Sequence, residues 1–595
     1  MRKIILPLLF ALATPAMAQI PHGPLAPHDQ LAPHDQLAKV IDDHWAWWLS
    51  AHPVDATTRG VRDYDDRIYD MSLAARDAQI KAERGFASRL EAVPETALDA
   101  ADKVNRAVLL WMLRDDIDGD THQAERLMLF TTYSGWHQGF SGMADGLPFY
   151  NRADYESYLK RLALYPTQNG DALAITRAAI KGGYVLPCSV LGGYAATISG
   201  IVAGKPEDTR FYEPFTRSRP RDVSAADWAA MQARAVTVIR DVVTPEYGKW
   251  HDLFVKDYQP ACRKSDSAST LPGGAAWYAS RVRAHTTTDL TPDQIHAIGL
   301  KEVARIGARM DDIAAKAGYP SRAAFIQHLR TDPSYYAKTP EELLRVAARQ
   351  AKAIDGLLPR YFGTLPRLPY GLKAIPAAEA EGTTTAYYMP GAPESGIAGT
   401  YYVNTSKLGQ RPFWELPALT AHEAVPGHHN QIALQQELPL PAFRKYLAGF
   451  TAYVEGWALY TEYLGEEMGL YDTPEKMIGR LSYEMWRACR LVVDTGIHAK
   501  GWDKARAVAF MKTNSALSDA NIDAEVNRYI SWPGQALGYK LGEIKIRDLR
   551  ARAEGALGAK FDLRRFHDAV LAQGAVPLTV LDSQIDGWIA SEKAR

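Results

Sequence analysis

Apolar residues recur every three or four positions along most of the chain, the signature of amphipathic helices. The pattern runs through LAKVIDDHWAWWLSAH, AADKVNRAVLLWMLRDDID, SYLKRLALYPTQNGDALAITRAAIKGG and DWAAMQARAVTVIRDVVTPEYGKWHDLFVKDY. Two more helices mark their own starts, with Thr291 before PDQIHAIGLKEVARIGARMDDIAAKAG and Thr339 before PEELLRVAARQAKAIDGLLPRYF. Each hydroxyl stands where an N-cap accepts a free backbone N–H. Strand signals are few. TTTAYYMP (383–390) and GTYYVNTS (399–406) are β-rich runs separated by Gly, Pro and Ser, and they read as a small hairpin or edge pair. The prediction is a mainly α fold, a large helical body with a small sheet next to one special helix. Residues 39–595 read as one unit, with its catalytic part at about 371–595.

The N-terminus breaks the helical pattern in two ways. Arg2 and Lys3 precede an apolar run from Ile4 to Leu12, and Ala16-Met17-Ala18 fits a small-x-small cleavage site. This predicts a signal peptide over 1–18, cut after Ala18, and a periplasmic or secreted protein. A membrane anchor is the alternative, but the run is far short of the ~20 residues a span needs. Residues 19–38 are Pro/His-rich and repeat LAPHDQ at 25–30 and 31–36, which reads as a disordered linker. A metal-scavenging tail on His22, His28 and His34 is the weaker reading.

Composition changes the picture mainly by exclusion. With 47% hydrophobic and 23% charged residues, the 595-residue chain is not disordered as a whole. Lys+Arg 68 against Asp+Glu 69 leaves a net charge of -1, without the basic footprint of a nucleic-acid binder. Nucleic acid and an integral membrane segment in the mature chain are therefore not expected. Of three cysteines, Cys188 and Cys262 sit in Pro-flanked, loop-like segments, whereas Cys489 sits in a helical pattern. In an oxidising compartment the expected bridge is Cys188–Cys262.

The chemistry is concentrated in GTYYVNTSKLGQRPFWELPALTAHEAVPGHHNQIALQQE. His422-Glu423, with His428-His429 close behind, is a dense set of zinc-type ligands. In the familiar H-E-x-x-H helix, two His one turn apart share a face and grip one Zn²⁺, and the Glu acts as general base on water. Here the position four after His422 is Pro426, which cannot ligate. On a straight helix His428 would lie about 600° round, on the wrong side. His429 would return to the same face, but ~10.5 Å along the axis. Pro426 removes a helical hydrogen bond and Gly427 permits unusual angles, so the helix should bulge or break there. A two-residue bulge puts His428 in the second ligand position. Glu455, 27 residues on in FTAYVEGWALYTEYLGEEMGL, is the third ligand candidate, flanked by Val454, Gly456 and Trp457, with Glu462 the runner-up. Two His and one Glu leave a coordination position open for water. The plain alternative is a helix end with surface histidines and one more surface Glu.

HEAVPGHHNQ and YVEGWALYTE together resemble the bacterial family called domain of unknown function 885, which is grouped with gluzincin-type zinc peptidases. The family pattern H-E-x-x-P-G-H, with a Gln three positions on, falls on His422, Glu423, Pro426, Gly427, His428 and Gln431. Its E-G-W-A-x-Y-x-E falls on Glu455, Gly456, Trp457, Ala458, Tyr460 and Glu462. Residues 271–306 and 493–502 also look like the family. The resemblance implies a mostly helical fold like that of angiotensin-converting enzyme, with a deep cleft, and selects His428 over His429.

The remaining candidates come from the downstream segments. Tyr529 and Tyr539 are each placed to donate to an oxyanion or anchor a carboxylate, and helix packing is the plainer role. Arg528 and Lys540 are candidates to bind a substrate carboxylate. His498 with Asp494, four apart on a helix, reads as a supporting pair behind the metal, as an oxyanion donor with its orienter, or as a satisfied structural pair. Tyr401 lies in AGTYYVN, a strand that would receive an extended peptide by edge addition. The expectation is an exported zinc metallopeptidase holding one Zn²⁺ on His422, His428 and Glu455, with Glu423 as general base. Its substrates are short peptides, since a helical shell around a cleft excludes folded proteins. The alternatives are a zinc amidohydrolase on a non-peptide or cell-wall amide, and a non-catalytic exported binding protein. Mn²⁺, Co²⁺ or Fe²⁺ would suit the same ligands.

Overall fold

The caps read from the sequence sit at the starts of the helices expected of them. In the computed structural model, which describes residues 31–376, 380 and 383–595, Thr291 accepts from the Gln294 N–H and the Gln294 side chain accepts from the Thr291 N–H. That reciprocal box opens helix Pro292–Lys316. Thr339 likewise caps helix Pro340–Asp355 through the Glu342 N–H. The predicted signal peptide lies outside the described residues. The predicted linker needs a correction at its end, because the first helix spans Pro33–Ala51 and takes in residues 33–38. Pro33 sits in the first turn, where its missing N–H costs nothing. Leu37 is fully buried, and His34 Nδ1 lies 2.6 Å from the Asp102 carboxylate.

The fold is mainly α, as expected, with one three-stranded sheet: β1 (Tyr370–Ala374), β2 (Ala386–Met389) and β3 (Gly399–Val403). β2 and β3 form the expected antiparallel pair, with Ala386 opposite Val403. The sequence reading missed β1, which runs parallel to β3 with Tyr370 opposite Gly399. YGLKA has no β-branched residue and no clean alternation, so nothing local marks it. Its presence also corrects the proposed role of Tyr401. β3 is the central strand and both its edges are taken, so no peptide adds there. β1 and β2 are the edge strands.

One helix, Pro474–Lys500, is the axis of the C-terminal half. Every residue from Ile478 to His498 is buried, charged ones included. Helix Pro292–Lys316 packs along it, and helix Thr451–Glu467 packs against helix Gly538–Leu557. The second pair touches backbone to backbone: a Cβ at Gly456 would lie 2.5 Å from the Gly542 Cα, and one at Gly542 only 1.8 Å from the Ala452 carbonyl oxygen. This is the physical role of the glycine beside Glu455, since it lets that helix approach its neighbour closely. One apolar cluster runs through the chain from Leu37 to Ile589. Among the described residues, no helix is long and apolar enough to cross a membrane.

Cys188 and Cys262 are bonded, as expected, and Cys489 is free and buried. The bridge joins segments 74 residues apart, which backbone bonds also tie: Cys188 N–H donates to the Arg263 carbonyl and Arg263 N–H to that of Leu186. Replacing both cysteines by serine should lower the unfolding free energy by about 2–5 kcal/mol. Urea melts of oxidised wild type and variant check it, and coincident midpoints would count against it.

Candidate functional site

The helix carrying the first ligand stops where proline and glycine were expected to stop it. Helix Leu416–Glu423 ends at Ala424, whose φ of -99° and ψ of -105° are non-helical. A cis Val425–Pro426 peptide and Gly427 follow, and helix His428–Glu437 begins. Gly427 is required by contact: a Cβ there would sit 1.9 Å from the His422 carbonyl oxygen. The break is held from below by the next helix. Trp457 Nε1 donates to the Pro426 carbonyl at 2.9 Å, and Thr461 Oγ1 to the Ala421 carbonyl at 3.0 Å. The tryptophan after Glu455-Gly456 thus pins the turn that places the second histidine.

The break brings His428 beside His422, with ring centroids 4.8 Å apart and planes almost perpendicular. His429 faces the sheet, with its Nδ1 3.0 Å from the Tyr388 hydroxyl and its ring against Tyr370. Burial holds its pKa down at about 4. His422, His428 and Glu455 each offer one atom, all within 4.8 Å of one another, and the described residues form no second such group. Glu455 Oε2 lies 3.5 Å from His422 Nε2 and 3.4 Å from His428 Nε2, yet it is buried without a hydrogen-bond partner. Bonds of about 2.0–2.2 Å in a tetrahedral centre set ligand atoms roughly 3.3–3.5 Å apart. The spacing therefore fits three ligands of one cation.

Glu462, the runner-up ligand, has a different place. Its Oε1 takes the other nitrogen of His422, Nδ1, at 2.8 Å, which fixes the ring with Nε2 toward the cluster. Such carboxylates behind a ligand raise its basicity and hold its tautomer. Burial opposes a charged His422, but Glu455, Glu462 and Glu423 outweigh it and raise its pKa to about 9. Burial also opposes a charged Glu455, but His428 and His422 hold its carboxyl well below the usual range. The carboxylates around His422 thus favour positive charge at this position. A metal ion binds only unprotonated imidazole, so wherever the candidate histidines carry a proton, affinity should rise by about tenfold per pH unit for each proton released. Competition titrations at pH 6, 7 and 8 check it, and a pH-independent affinity would contradict it.

The cluster opens into a cleft of about 360 Å³ that also contains Glu423. Edge strand β2 and the preceding Thr383–Thr385 form one wall, and the buried helix Pro474–Lys500 another. Of the supporting residues expected here, Arg528 and Tyr539 line the cleft, and Arg528 Nη2 donates to the Tyr539 oxygen at 3.0 Å. The others are elsewhere. Tyr529 is fully buried with its oxygen accepting from Trp486 Nε1 and Arg490 Nε, both at 3.0 Å, and it does not line the cleft, so it does not reach an oxyanion there. Lys540 is fully buried among Glu484, Glu543 and Glu302 and cannot meet a substrate. His498 is held between the Ala268 N–H and the Tyr529 carbonyl, with burial pushing its pKa down to about 3. Asp494 turns instead to the Tyr278 hydroxyl and the Gly534 N–H, so the two form no pair. Tyr401 is buried behind the first ligand helix, 3.5 Å from the Thr420 hydroxyl.

The sequence reading missed Arg487 and Arg490, which also line the cleft. Their signal was there to read, as cations recurring inside an otherwise apolar helix, MWRACRLVV. Tyr133, another lining residue, lies in TTYSGWHQ, which carries no such signal.

A family profile described as "Bacterial protein of unknown function (DUF885)" matches residues 53–585. Two solved structures share the fold. "The crystal structure of the putative lipoprotein from Colwellia psychrerythraea" is 26% identical with a TM-score of 0.88, covering 94% of this chain and 100% of that one. "The structure of a putative lipoprotein of unknown function from Shewanella oneidensis" is 19% identical with a TM-score of 0.71, covering 93% and 99%. No curated protein matches this chain.

Proposed function

The chain belongs to the bacterial DUF885 family, and on that premise we propose that it is an exported, metal-dependent hydrolase of amide bonds, a zinc metallopeptidase acting on short peptides. One observation carries the reading. His422, His428 and Glu455 converge to within 4.8 Å in the cleft that also holds Glu423, one residue from the first histidine. A divalent cation on those three residues supplies Lewis acidity toward a water and a carbonyl oxygen. The remaining steps belong to the chain. Glu423 takes the proton of the attacking water on its carboxylate and hands it to the departing amine nitrogen. Tyr539 lines the same cleft with its oxygen accepting from Arg528, which leaves its own proton for an oxyanion. Edge strand β2, along the cleft wall, offers backbone groups to an extended substrate.

Export is supported by the sequence features of residues 1–18, by the Cys188–Cys262 bridge and by the 26%-identical structural relative described as a "putative lipoprotein". The test is metal content and hydrolysis measured together. Purified mature protein should carry about one equivalent of zinc and cleave members of a short-peptide library. Chelation should abolish cleavage, and added zinc should restore it. A protein that binds no metal when zinc is supplied would sink the reading. Cleavage of cell-wall fragments but of no peptide would move the substrate to a different amide.

A further inference from the structure

Two guanidinium groups share one carboxylate in the wall of the cleft. Arg490 Nη2 lies 2.8 Å from Glu525 Oε2, and Arg528 Nη1 lies 3.6 Å from Glu525 Oε1. Glu525 is fully buried, Arg490 is 2% exposed and the Arg528 side chain 13%. The other partners of the two arginines are neutral: Tyr529 for Arg490, Gln535 and Tyr539 for Arg528. Nearby Arg487 lies 3.5 Å from Glu462, a carboxylate it shares with His422, so it brings no spare negative charge to this wall. One positive charge in this wall is therefore uncompensated, in surroundings where an unmatched charge is costly. Donors are unmatched too. Arg490 Nη1, Arg528 Nε and the Tyr133 hydroxyl are buried without hydrogen-bond partners among the described residues, and all three residues line the cleft. Arg490 is locked in place between the rings of Trp486 and Tyr539, with its centre 4.6 and 4.2 Å from them.

We propose that Arg528 and Tyr133, with Arg490 as the positioning residue behind them, form an anion subsite that takes a carboxylate of the substrate. A single carboxylate supplies both the missing charge and the missing acceptors, and a guanidinium fork suits its two oxygens. Because subsite and metal ligands share one cleft of about 360 Å³, carboxylate and target amide belong to the same small molecule. The substrate class is then a short peptide, or similar amide, with a carboxylate close to the bond that is cut. The carboxylate comes from a chain terminus or from an acidic side chain. This inference rests on the hydrolase reading only for the word substrate; the binding it predicts needs no catalysis.

The test is calorimetric binding to metal-loaded Glu423→Gln protein, which holds the ligand uncut. The probes are N-acetyl-dialanine, its C-terminal amide, and the α-amide of N-acetyl-alanyl-glutamate. A carboxylate probe should bind roughly tenfold to a hundredfold tighter than the neutral amide, the range expected of charged hydrogen bonds. Preference for the free terminus assigns a terminal carboxylate, and preference for the glutamyl amide assigns a side chain. Arg528→Gln should bring all three probes to within about threefold of one another, and Arg528→Lys should restore part of the preference. Glu525→Gln should increase it, since a second positive charge is then uncompensated, and a merely structural role for this wall does not produce that gain. Equal binding of all three probes to the parent protein, or a preference that survives Arg528→Gln, would overturn the subsite. Carboxylate preference in a protein that cleaves no amide would leave the subsite standing and remove the hydrolase reading. Cleavage of peptides with no carboxylate preference would do the reverse.

Discussion

Glu423→Gln should lower the rate of amide hydrolysis by about 10²–10⁴-fold, the range set by loss of a positioned general base, while leaving metal content and fold intact. Glu423 is the last residue of helix Leu416–Glu423 and lines the cleft, and it is not one of the three clustered ligands. Glutamine keeps the shape and the hydrogen-bonding capacity but cannot take a proton at neutral pH. The measurement is kcat on a peptide cleaved by the wild type, beside zinc stoichiometry and a thermal melt of both proteins. Unchanged kcat with zinc in place would refute the mechanism. Loss of zinc along with activity would mean that Glu423 belongs to the metal shell.

His428→Ala and His429→Ala should part company although the residues are neighbours. Mutation of the groups behind metal ligands costs about 10–100-fold in affinity, so loss of a ligand should cost at least about 100-fold. His428 Nε2 stands 3.4 Å from Glu455 Oε2, inside the cluster, and His428→Ala should empty it. His429 has its Nδ1 at Tyr388 and its ring against Tyr370. Its replacement should leave zinc bound and cost about 1–3 kcal/mol of stability through lost packing and a lost side-chain hydrogen bond. Metal analysis after dialysis decides between them. Zinc kept by His428→Ala and lost by His429→Ala would mean that the ligand set is wrong.

The parts of the site legible in the sequence are those built from local geometry. Pro426 and Gly427 fall between two histidines six apart, and a helix cannot run through them. That alone located the break, and the two-residue bulge together with the family pattern put His428 in the second ligand position. The packing holds the break in place: Trp457 donates to the Pro426 carbonyl from another helix, and Gly456 lets that helix lie against Gly542. Helix caps at Thr291 and Thr339 were equally legible, because a cap involves residues three apart. Strand β1 was not, because only its parallel partner β3 makes YGLKA a strand.

Polar residues show the same division more sharply. Tyr529, Lys540, His498 and Asp494 looked like chemistry because their residue types can do chemistry. Each is instead consumed by partners far away in sequence, as Lys540 is by Glu484 and Glu302. Tyr133 carries no mark in the sequence, because a phenol is unremarkable until its surroundings leave its hydroxyl without a partner.

The sequence by itself therefore determined the helical class, the residue types of the candidate metal cluster, the break after Glu423 and the cysteine pair, because periodicity, proline sterics and residue chemistry act over a few bonds. Only the tertiary structure decided that His429 turns to the sheet, that Glu462 stands behind His422, and which cations face the cleft. Those outcomes depend on burial and on partners dozens to hundreds of residues away, and a buried group's role is set by what surrounds it.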